Sequence, residues 1–413
     1  MRKRIKKPRF GFRLPHLTMI DKNELFFFLS YGIYLIYMVL NATFFAIYIN
    51  SVWKIVYVFC IGLLVVSELI RNRMTWKSLL SLGIILVLFL NILRVGQGLS
   101  QNAIAVLMFY MFCSRNIPFR KISKFTMVIS GTLLVFVVIS SLVGIIPNYM
   151  SKGGRQRQYL GFLYALYAPT LMSNITLLWI YSKKEKITVV GAAFFLLLNL
   201  FFFVKTNSRL CFYLTVLMLL LGLLLRRYGK KFLRWKILCL GMILSFVLAA
   251  GLSFLLTAHY QPSISWMSAL NKALESRLSL GRNSLAQIGM KPFGIEGIKW
   301  VGNGLNIYGE KNTTDAYSYV DCYYIQIAQR FGFVFLFIII GFLTIACYRA
   351  YKKNDIYLLC IFSILAVHFV IDDLYMYLHY NTFWLAAGTL VLSRKHVTCK
   401  NLLKLKLTRS YLS

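Results

Sequence analysis

Long apolar blocks follow one another through almost the whole chain, and they constrain its fold more than any other feature. Twelve blocks can be delimited, at 25–46, 52–70, 79–95, 103–113, 125–146, 163–181, 187–204, 210–225, 232–256, 331–348, 356–371 and 374–392. A transmembrane helix needs roughly 17 to 25 residues, and in lipid only a helix or a closed barrel satisfies every backbone hydrogen bond. With 59% hydrophobic and 14% charged residues, the sequence predicts an all-α, polytopic transmembrane bundle of about 12 spans.

The basic residues are divided unevenly between the two sides of this bundle. If the N-terminus is inside, 33 of the 47 Lys and Arg residues fall in the inner segments 1–24, 71–78, 114–124, 183–186, 226–236, 347–354 and 394–413. Short cytoplasmic connections are enriched in Lys and Arg. Both termini of this multi-pass protein are therefore predicted to be cytoplasmic.

This topology divides the chain into five parts. A cytoplasmic basic tail (1–24) leads into transmembrane helices 1–9 (25–256), a long extracytoplasmic loop (257–330), transmembrane helices 10–12 (331–393) and a second cytoplasmic basic tail (394–413). The net charge of +35 would suit a nucleic-acid partner, but the basic residues lie in short clusters between spans. We therefore expect them to set orientation, and we expect no nucleic-acid partner.

Basic residues on the predicted outer face oppose this bias and need a separate explanation. They are Arg94, Lys152, Arg155, Arg157, Lys205, Arg209, Arg277 and Arg282. A planar guanidinium binds phosphate oxygens bidentately and keeps its charge in a partly dry site. Any one of these side chains could instead contact lipid headgroups or pair with Glu275, but several together at one face favour an anionic ligand such as a pyrophosphate.

The long loop also supplies the candidate acids and bases. Residues 317–332 have apolar positions at three- and four-residue spacing, which predicts a helix on the outer surface that begins at Asp321. A carboxylate there is stabilised by the helix N-terminus, and it could also accept a proton from a bound hydroxyl. His259 follows a span end and is either an interfacial residue or an alternative base.

Two further groups of residues have less specific explanations. The pair Asp372-Asp373, between the last two blocks, could cap the final helix, pair with an outer Arg or bind a cation. The eight cysteines are scattered, mostly within apolar blocks, and form no CxxC or Cys/His cluster. The sequence therefore indicates neither a zinc site nor a disulfide framework.

Four features together resemble the O-antigen polymerase and ligase family, and within it the Wzy-type polysaccharide polymerases. They are Thr206-Asn207-Ser208-Arg209 after a span, Arg155-Gln156-Arg157-Gln158-Tyr159-Leu160-Gly161-Phe162 before an earlier one, the single late outer loop, and the exit from Val320-Asp321 to Arg330-Phe331-Gly332. The chain has Cys322 where many members have Asn. The resemblance covers roughly residues 155 to 332.

The resemblance implies a fold and a reaction, those of the C-type glycosyltransferases that invert configuration and use no metal. A glycan on a polyprenyl pyrophosphate in the bacterial cytoplasmic membrane would be extended by the next lipid-linked repeat unit. No cofactor is implied, and the partners would be these lipid-linked glycans, membrane lipid and, as an open possibility, a chain-length regulator. Extra support for a metal-independent reaction is that the first outer connection, 41–51, has no Asp or Glu to hold a cation.

The resemblance also implies roles for individual residues. Asp321 would be the catalytic base, with His259 or Asp315 as substitutes, and Arg209 and Arg277 would stabilise the leaving pyrophosphate. The remaining residues expected to bind substrate are Arg155, Arg157, Lys205, Arg282, Asp315, Arg330 and Tyr319. Aromatic residues of the loop such as Tyr319 suit sugar faces, although anchoring at the membrane interface explains them nearly as well.

Two other functions remain open. A transporter or flippase for lipid-linked oligosaccharides could also have twelve spans, but such chains commonly divide into two related halves and carry charges midway through spans. Here the middle connection is only 182–186, and most outer charges lie at span ends. A glycan ligase would use nearly the same residues as a polymerase.

Overall fold

In the computed structural model, which describes residues 24–71, 76–95, 99–151, 156–311 and 316–393, the regular structure is entirely helical. The helices of the first half are α1 (Leu25–Asn41), α2 (Ala46–Ile49), α3 (Trp53–Arg71), α4 (Trp76–Val95), α5 (Leu99–Cys113), α6 (Phe119–Leu142), α7 (Tyr167–Lys183) and α8 (Val189–Thr206). Those of the second half are α9 (Arg209–Arg234), α10 (Lys236–Ile243), α11 (Ser245–Ala258), α12 (Ser265–Ala273), α13 (Arg277–Ile288), α14 (Tyr323–Arg330), α15 (Phe333–Lys352), α16 (Ile356–His368) and α17 (Phe383–Val391). The prediction of an all-α chain is confirmed for these residues.

Membrane-spanning length is reached by a subset of these helices. Six described segments are long and apolar enough to cross a bilayer: Ala46–Ile70, Ser78–Val95, Phe119–Leu142, Val189–Thr206, Arg209–Arg234 and Phe333–Lys352. The pair α10 and α11, bent by 61°, makes a seventh if it crosses as one span. Each of the twelve predicted blocks contains a helix, but several are shorter, such as α16 with 13 residues and α17 with 9. The count of twelve spans and the cytoplasmic termini stay predictions, and the basic tails 1–23 and 394–413 lie outside the described residues.

Several predicted boundaries need correction. The helix of the eighth block does not stop near residue 225 but continues as α9 to Arg234, because the Arg and Lys residues that follow are good helix formers. The ninth block is broken at Leu244 rather than continuous. In the last block only Phe383–Val391 is α-helical, and Leu374–Met376 forms a short 3-10 turn before it.

Hydrogen bonds between helices hold the polar interior of the bundle together. Ser30 Oγ lies 2.8 Å from Tyr110 Oη, and Ser173 Oγ lies 2.6 Å from Thr215 Oγ1. The Asn174 side chain donates to Thr382 Oγ1 over 3.0 Å, although the two residues are 208 positions apart. Small and polar residues at helix interfaces allow close approach in a bilayer, where apolar burial gives no net driving force. These bonds join α1 to α5, α7 to α9 and α7 to the segment before α17.

The long loop is folded rather than open. It contains α12, α13 and α14, and α14 was predicted to lie on the outer surface. That placement is wrong, because seven of its eight residues, Tyr323 to Gln329, are buried. The side chain of Gln329 donates to the Ser284 carbonyl over 3.0 Å, which lets a polar residue remain inside the protein. We call residues 259–332 the long connection.

Two glycines fix the end of the long connection against its middle. Gly294 and Gly332 have φ angles of +90° and +100°, which side-chain-bearing residues rarely adopt. A Cβ added at Gly332 would overlap the Pro292 carbonyl, and one added at Gly294 would overlap the Arg330 carbonyl. The two segments cross here, and backbone hydrogen bonds such as that from Ile295 N to Gln329 O (3.0 Å) join them.

Replacing Gly332 with Ala should therefore destabilise the folded protein by about 2–5 kcal/mol, since it adds backbone strain to a steric overlap. Thermal unfolding of the detergent-solubilised protein would measure the change. Gly341→Ala is the matched control, because a Cβ there meets no atom within 4 Å. Equal unfolding temperatures for the two variants would contradict the close contact between Gly332 and the Pro292 carbonyl.

Candidate functional site

A large cavity lies where α8 ends and α7, α9 and α13 begin. Its volume is about 650 Å³, which is enough for a small charged ligand. Residues that carry charge or a hydrogen-bonding side chain make up much of its wall: Arg157, Tyr164, Asn207, Ser208, Arg209, Glu275, Ser276, Arg277, Tyr317, Asp321 and Asp372. The wall thus joins residues from Arg157 to Asp372.

Arg157 is placed by a segment that is tied to its neighbours on both sides. Its backbone N donates to Ser151 Oγ over 3.0 Å, and the next residue, Gln158, donates to the Lys205 carbonyl at the end of α8 over 2.9 Å. Leu160 and Gly161 then turn the chain with positive φ angles of 50° and 85°. These contacts hold the Arg157 guanidinium against the cavity.

Arg209 is placed by a tight turn between two helices. Asn207 ends α8 in the left-handed conformation (φ 51°, ψ 40°), and Arg209 is the first residue of α9. Thr206 Oγ1 lies 3.0 Å from Ser208 Oγ, which fixes the turn. The Arg209 side chain is exposed to the cavity, and no carboxylate of the described chain forms an ion pair with it. The predicted Thr206 to Arg209 element is therefore a helix–turn–helix junction at the site.

Arg277, the first residue of α13, is the most constrained of the three arginines. Its Nε donates to the Ile371 carbonyl over 2.6 Å and its Nη1 to the Leu274 carbonyl over 3.1 Å. Asp321 Oδ2 lies 3.7 Å from its Nε. Burial acts to lower the pKa of Arg277, but Asp321 and Asp372 outweigh it and raise that pKa, so the guanidinium stays charged.

Asp321 lies beside this guanidinium in a largely dry position, with its side chain 14% exposed. Tyr317 Oη donates to Asp321 Oδ2 over 2.9 Å. Burial raises the pKa of Asp321 to about 7, against the opposing effect of Arg277. A carboxyl group with that pKa can accept a proton near neutral pH, and it gains more driving force than an ordinary Asp would.

A second group of polar residues lies behind the cavity. Asp373 Oδ2 accepts hydrogen bonds from Tyr319 Oη (2.6 Å) and from the Gln326 side chain (2.8 Å). Burial raises the pKa of Asp373 to about 6, and the neighbouring Asp372 adds to this shift. Tyr319 therefore serves this buried network and does not line the cavity.

The other predicted site residues lie elsewhere. His259 is exposed and its Nδ1 lies 3.0 Å from the carbonyl of Leu255 on its own helix, and Arg282 donates to the Tyr260 carbonyl. The Arg330 guanidinium lies over the Trp300 ring at 4.8 Å, and Lys205 is half-buried outside the cavity wall. Arg155 and Asp315 are outside the described residues. Of the predicted residues, the cavity brings together Arg157, Arg209, Arg277 and Asp321.

Among the wall residues that were not predicted as site residues are Asp372, Glu275 and Tyr164. Asp372 was noted only as one of a pair, and its Oδ1 accepts from the Leu374 backbone N over 2.9 Å. Two adjacent carboxylates in an otherwise apolar run are a signal that could have identified it. Glu275 was considered only as an ion-pair partner. Tyr164 lies within an apolar block, and nothing in its sequence context distinguishes it from a core aromatic residue.

The arginines and Asp321 of the cavity together suit an anion with two or more negative charges. A second group that loses a proton could bind beside this anion. Two helix N-termini, those of α9 and α13, border the cavity, and their partial positive charge adds to that of Arg157, Arg209 and Arg277. A proton acceptor, Asp321, stands 3.7 Å from one of these arginines. Such a site can hold a diphosphate while a hydroxyl nearby is deprotonated.

No protein-family model matches this chain, and no curated protein or solved structure matches it either. What the protein does must therefore be inferred from the residues that line the cavity.

Proposed function

We propose that this protein polymerises polyprenyl-pyrophosphate-linked oligosaccharide repeat units into a surface polysaccharide. The reaction would take place at the outer face of the bacterial cytoplasmic membrane, by metal-independent inverting glycosyl transfer in a fold like that of C-type glycosyltransferases. The proposal includes twelve spans and two cytoplasmic termini, which put the cavity on the outer side. The resemblance of residues 155–332 to the O-antigen polymerase and ligase family supports it.

The single observation that carries the proposal is the meeting of three arginines with Asp321, a carboxyl group whose pKa is raised. Arg157, Arg209 and Arg277 come from three separate connections, yet they line one cavity with Asp321. Guanidinium groups suit the two phosphates of a lipid pyrophosphate because each can donate two parallel hydrogen bonds. A transporter would need such charges along a path through the bundle, whereas these lie together at its end.

In the proposed reaction, a hydroxyl of the incoming repeat unit attacks the anomeric carbon of the growing glycan. A new carbon–oxygen bond forms as the bond from that carbon to the phosphate oxygen breaks, so the configuration inverts. The hydroxyl proton passes to Asp321, and the pyrophosphate leaves with the bonding electron pair. Negative charge that develops on the leaving oxygen is stabilised by the arginines, which are already in position.

Arg209→Ala tests this proposal with little effect on folding, because the side chain is exposed and has no carboxylate partner among the described residues. We expect cells that carry only this variant to accumulate single lipid-linked repeat units on the outer side and to make less long glycan. The rate should fall about tenfold, because one exposed positive charge no longer stabilises the transition state. A tenfold change in rate corresponds to about 1.4 kcal/mol. Extraction and sizing of lipid-linked glycans would measure both products.

Arg282→Ala is the control for the same experiment. This substitution also removes one positive charge from the proposed outer side of the protein. Arg282, however, points away from the cavity and donates to the Tyr260 carbonyl. Glycan of normal length in the Arg209 variant would count against the proposal. Repeat units trapped on the inner side would favour the flippase instead.

A further inference from the structure

Glu275 places a carboxylate between two of the arginines of the cavity. Its Oε2 lies 4.0 Å from Arg157 Nη2 and 3.9 Å from Arg277 Nη1. The Glu275 side chain is 39% exposed, whereas those of Arg157 and Arg277 are 19% and 15% exposed. The carboxylate is therefore on the open side of the two guanidinium groups, where a ligand must approach them.

Neither arginine is fully satisfied by this carboxylate. Both distances to Glu275 exceed the usual 2.7–2.9 Å of a charge-assisted hydrogen bond. The Nε of Arg157 is buried and has no hydrogen-bond partner in the described part of the chain. Because an unsatisfied buried donor costs free energy, this guanidinium has more to gain from a ligand than from its present neighbour.

The backbone holds Glu275 in this position. Glu275 and Ser276 are consecutive residues with positive φ angles, 55° and 67°, which are strained for residues with a side chain. Asn271 maintains the turn, since its Oδ1 accepts from the backbone N of Leu278 and of Ser279, both over 3.1 Å. A strained turn that is fixed by two hydrogen bonds to the Asn271 side chain indicates that the position of Glu275 is a built feature.

We propose that Glu275 is a resident carboxylate that competes with the diphosphate of the lipid for Arg157 and Arg277 and so weakens its binding. This inference rests on the proposed function, and it adds a residue that sets affinity. In the absence of substrate the carboxylate partly neutralises the two arginines. A diphosphate displaces it because two phosphate groups offer more charge and more acceptor oxygens than one carboxylate.

Competition from Glu275 weakens binding of the product diphosphate more than binding of the substrate. After transfer, the diphosphate no longer carries a sugar and has one more ionisable oxygen, so it binds arginines more strongly than the substrate does. A nearby carboxylate repels this extra charge and promotes release of the lipid diphosphate. Glu275 thus limits product retention, a step that often limits turnover.

Binding of inorganic pyrophosphate to the full-length, detergent-solubilised protein tests the inference without relying on polymerisation. We expect Glu275→Gln, which keeps the size of the side chain, to bind pyrophosphate roughly tenfold more tightly than wild type at low salt, where exposed charges are least screened. Glu275→Asp should bind like wild type, because it keeps the charge. Isothermal titration calorimetry gives the dissociation constant in each case.

Glu296→Gln is the matched control, since Glu296 pairs with Arg94 away from the cavity and its loss changes net charge equally. Tighter binding in this variant too would overturn the inference, because it would reflect net charge alone. Equal or weaker binding by Glu275→Gln, when wild type binds, would overturn the role of Glu275 and leave the proposed function standing. Failure of wild type and Glu275→Gln alike to bind pyrophosphate would overturn the proposed function, and this inference with it.

Discussion

Asp321→Asn protein is expected to polymerise lipid-linked repeat units about 10²- to 10⁴-fold more slowly than wild type, the range that general base catalysis supplies. The amide has nearly the shape of the carboxylate and can still receive the hydrogen bond from Tyr317 Oη, which is 2.9 Å long in the wild-type protein. It cannot accept a proton from a hydroxyl. The loss would therefore arise in the chemical step rather than in substrate binding.

The dependence of rate on pH separates this role from a structural one. Burial raises the pKa of Asp321 to about 7, and only the deprotonated form is a base. The wild-type rate at saturating substrate should thus rise with pH, reach half its maximum near pH 7 and level off above it. An ordinary Asp would give a midpoint near 4.

Purified protein in vesicles that contain lipid-linked repeat units is suitable for this measurement. Asp321→Glu keeps a carboxyl group and should retain a pH-dependent rate, while Asp321→Asn should lose the dependence together with the rate. If Asp321→Asn polymerised as fast as wild type, another group would have to be the base. Since His259 points away from the cavity, the remaining predicted candidate would be Asp315.

Arg277→Gln is expected to lower the rate of the chemical step by about 10²- to 10³-fold, the loss of about 2.7–4 kcal/mol seen when one preorganised donor is removed from such a site. Arg277 is the most buried of the three cavity arginines, and its bonds to Ile371 and Leu274 fix its direction. A fixed guanidinium stabilises developing charge without reorganising. Arg209, which is exposed, should therefore matter less.

Two variants distinguish this effect from misfolding. Arg277→Lys keeps the positive charge beside Asp321 but loses the planar fork, so it should fold like wild type and still polymerise slowly. Arg282→Gln, five residues along the same helix, should be as active as wild type. Single-turnover rates and thermal unfolding of each variant provide the comparison, and a wild-type rate for Arg277→Gln would exclude Arg277 from the reaction.

The helices could be predicted from the sequence because apolar residues outnumber the rest within each block. The ends and the burial of these helices are less predictable, because they depend on hydrogen bonds that polar residues make to distant parts of the chain. α14 shows this limit. Its pattern resembles an amphipathic surface helix, but Gln326 and Gln329 donate their side-chain hydrogens to buried oxygens, so the polar side faces inward as well.

The arginines of the site could be predicted as a class but not individually. The charge bias identified those that oppose it, and three of them line the cavity. The sequence predicts the same role for Arg277 and Arg282, because it does not show towards which part of the protein either side chain points. Five residues along a helix correspond to a rotation of about 140° around the axis. Once α13 is recognised as a helix, the two side chains cannot share one face, and only Arg277 reaches the cavity.

The wall of the cavity draws on the chain from Arg157, ahead of α7, to Asp372, after α16. During synthesis, Arg157 and Arg209 are therefore made well before the carboxylates at 321 and 372 that face them. Until Glu275, Asp321 and Asp372 have been made, a partly translated chain holds these cationic side chains with no acidic counterpart from this site. The pocket can close around its charges only after the segment that follows α16 has left the ribosome, because that segment carries Asp372.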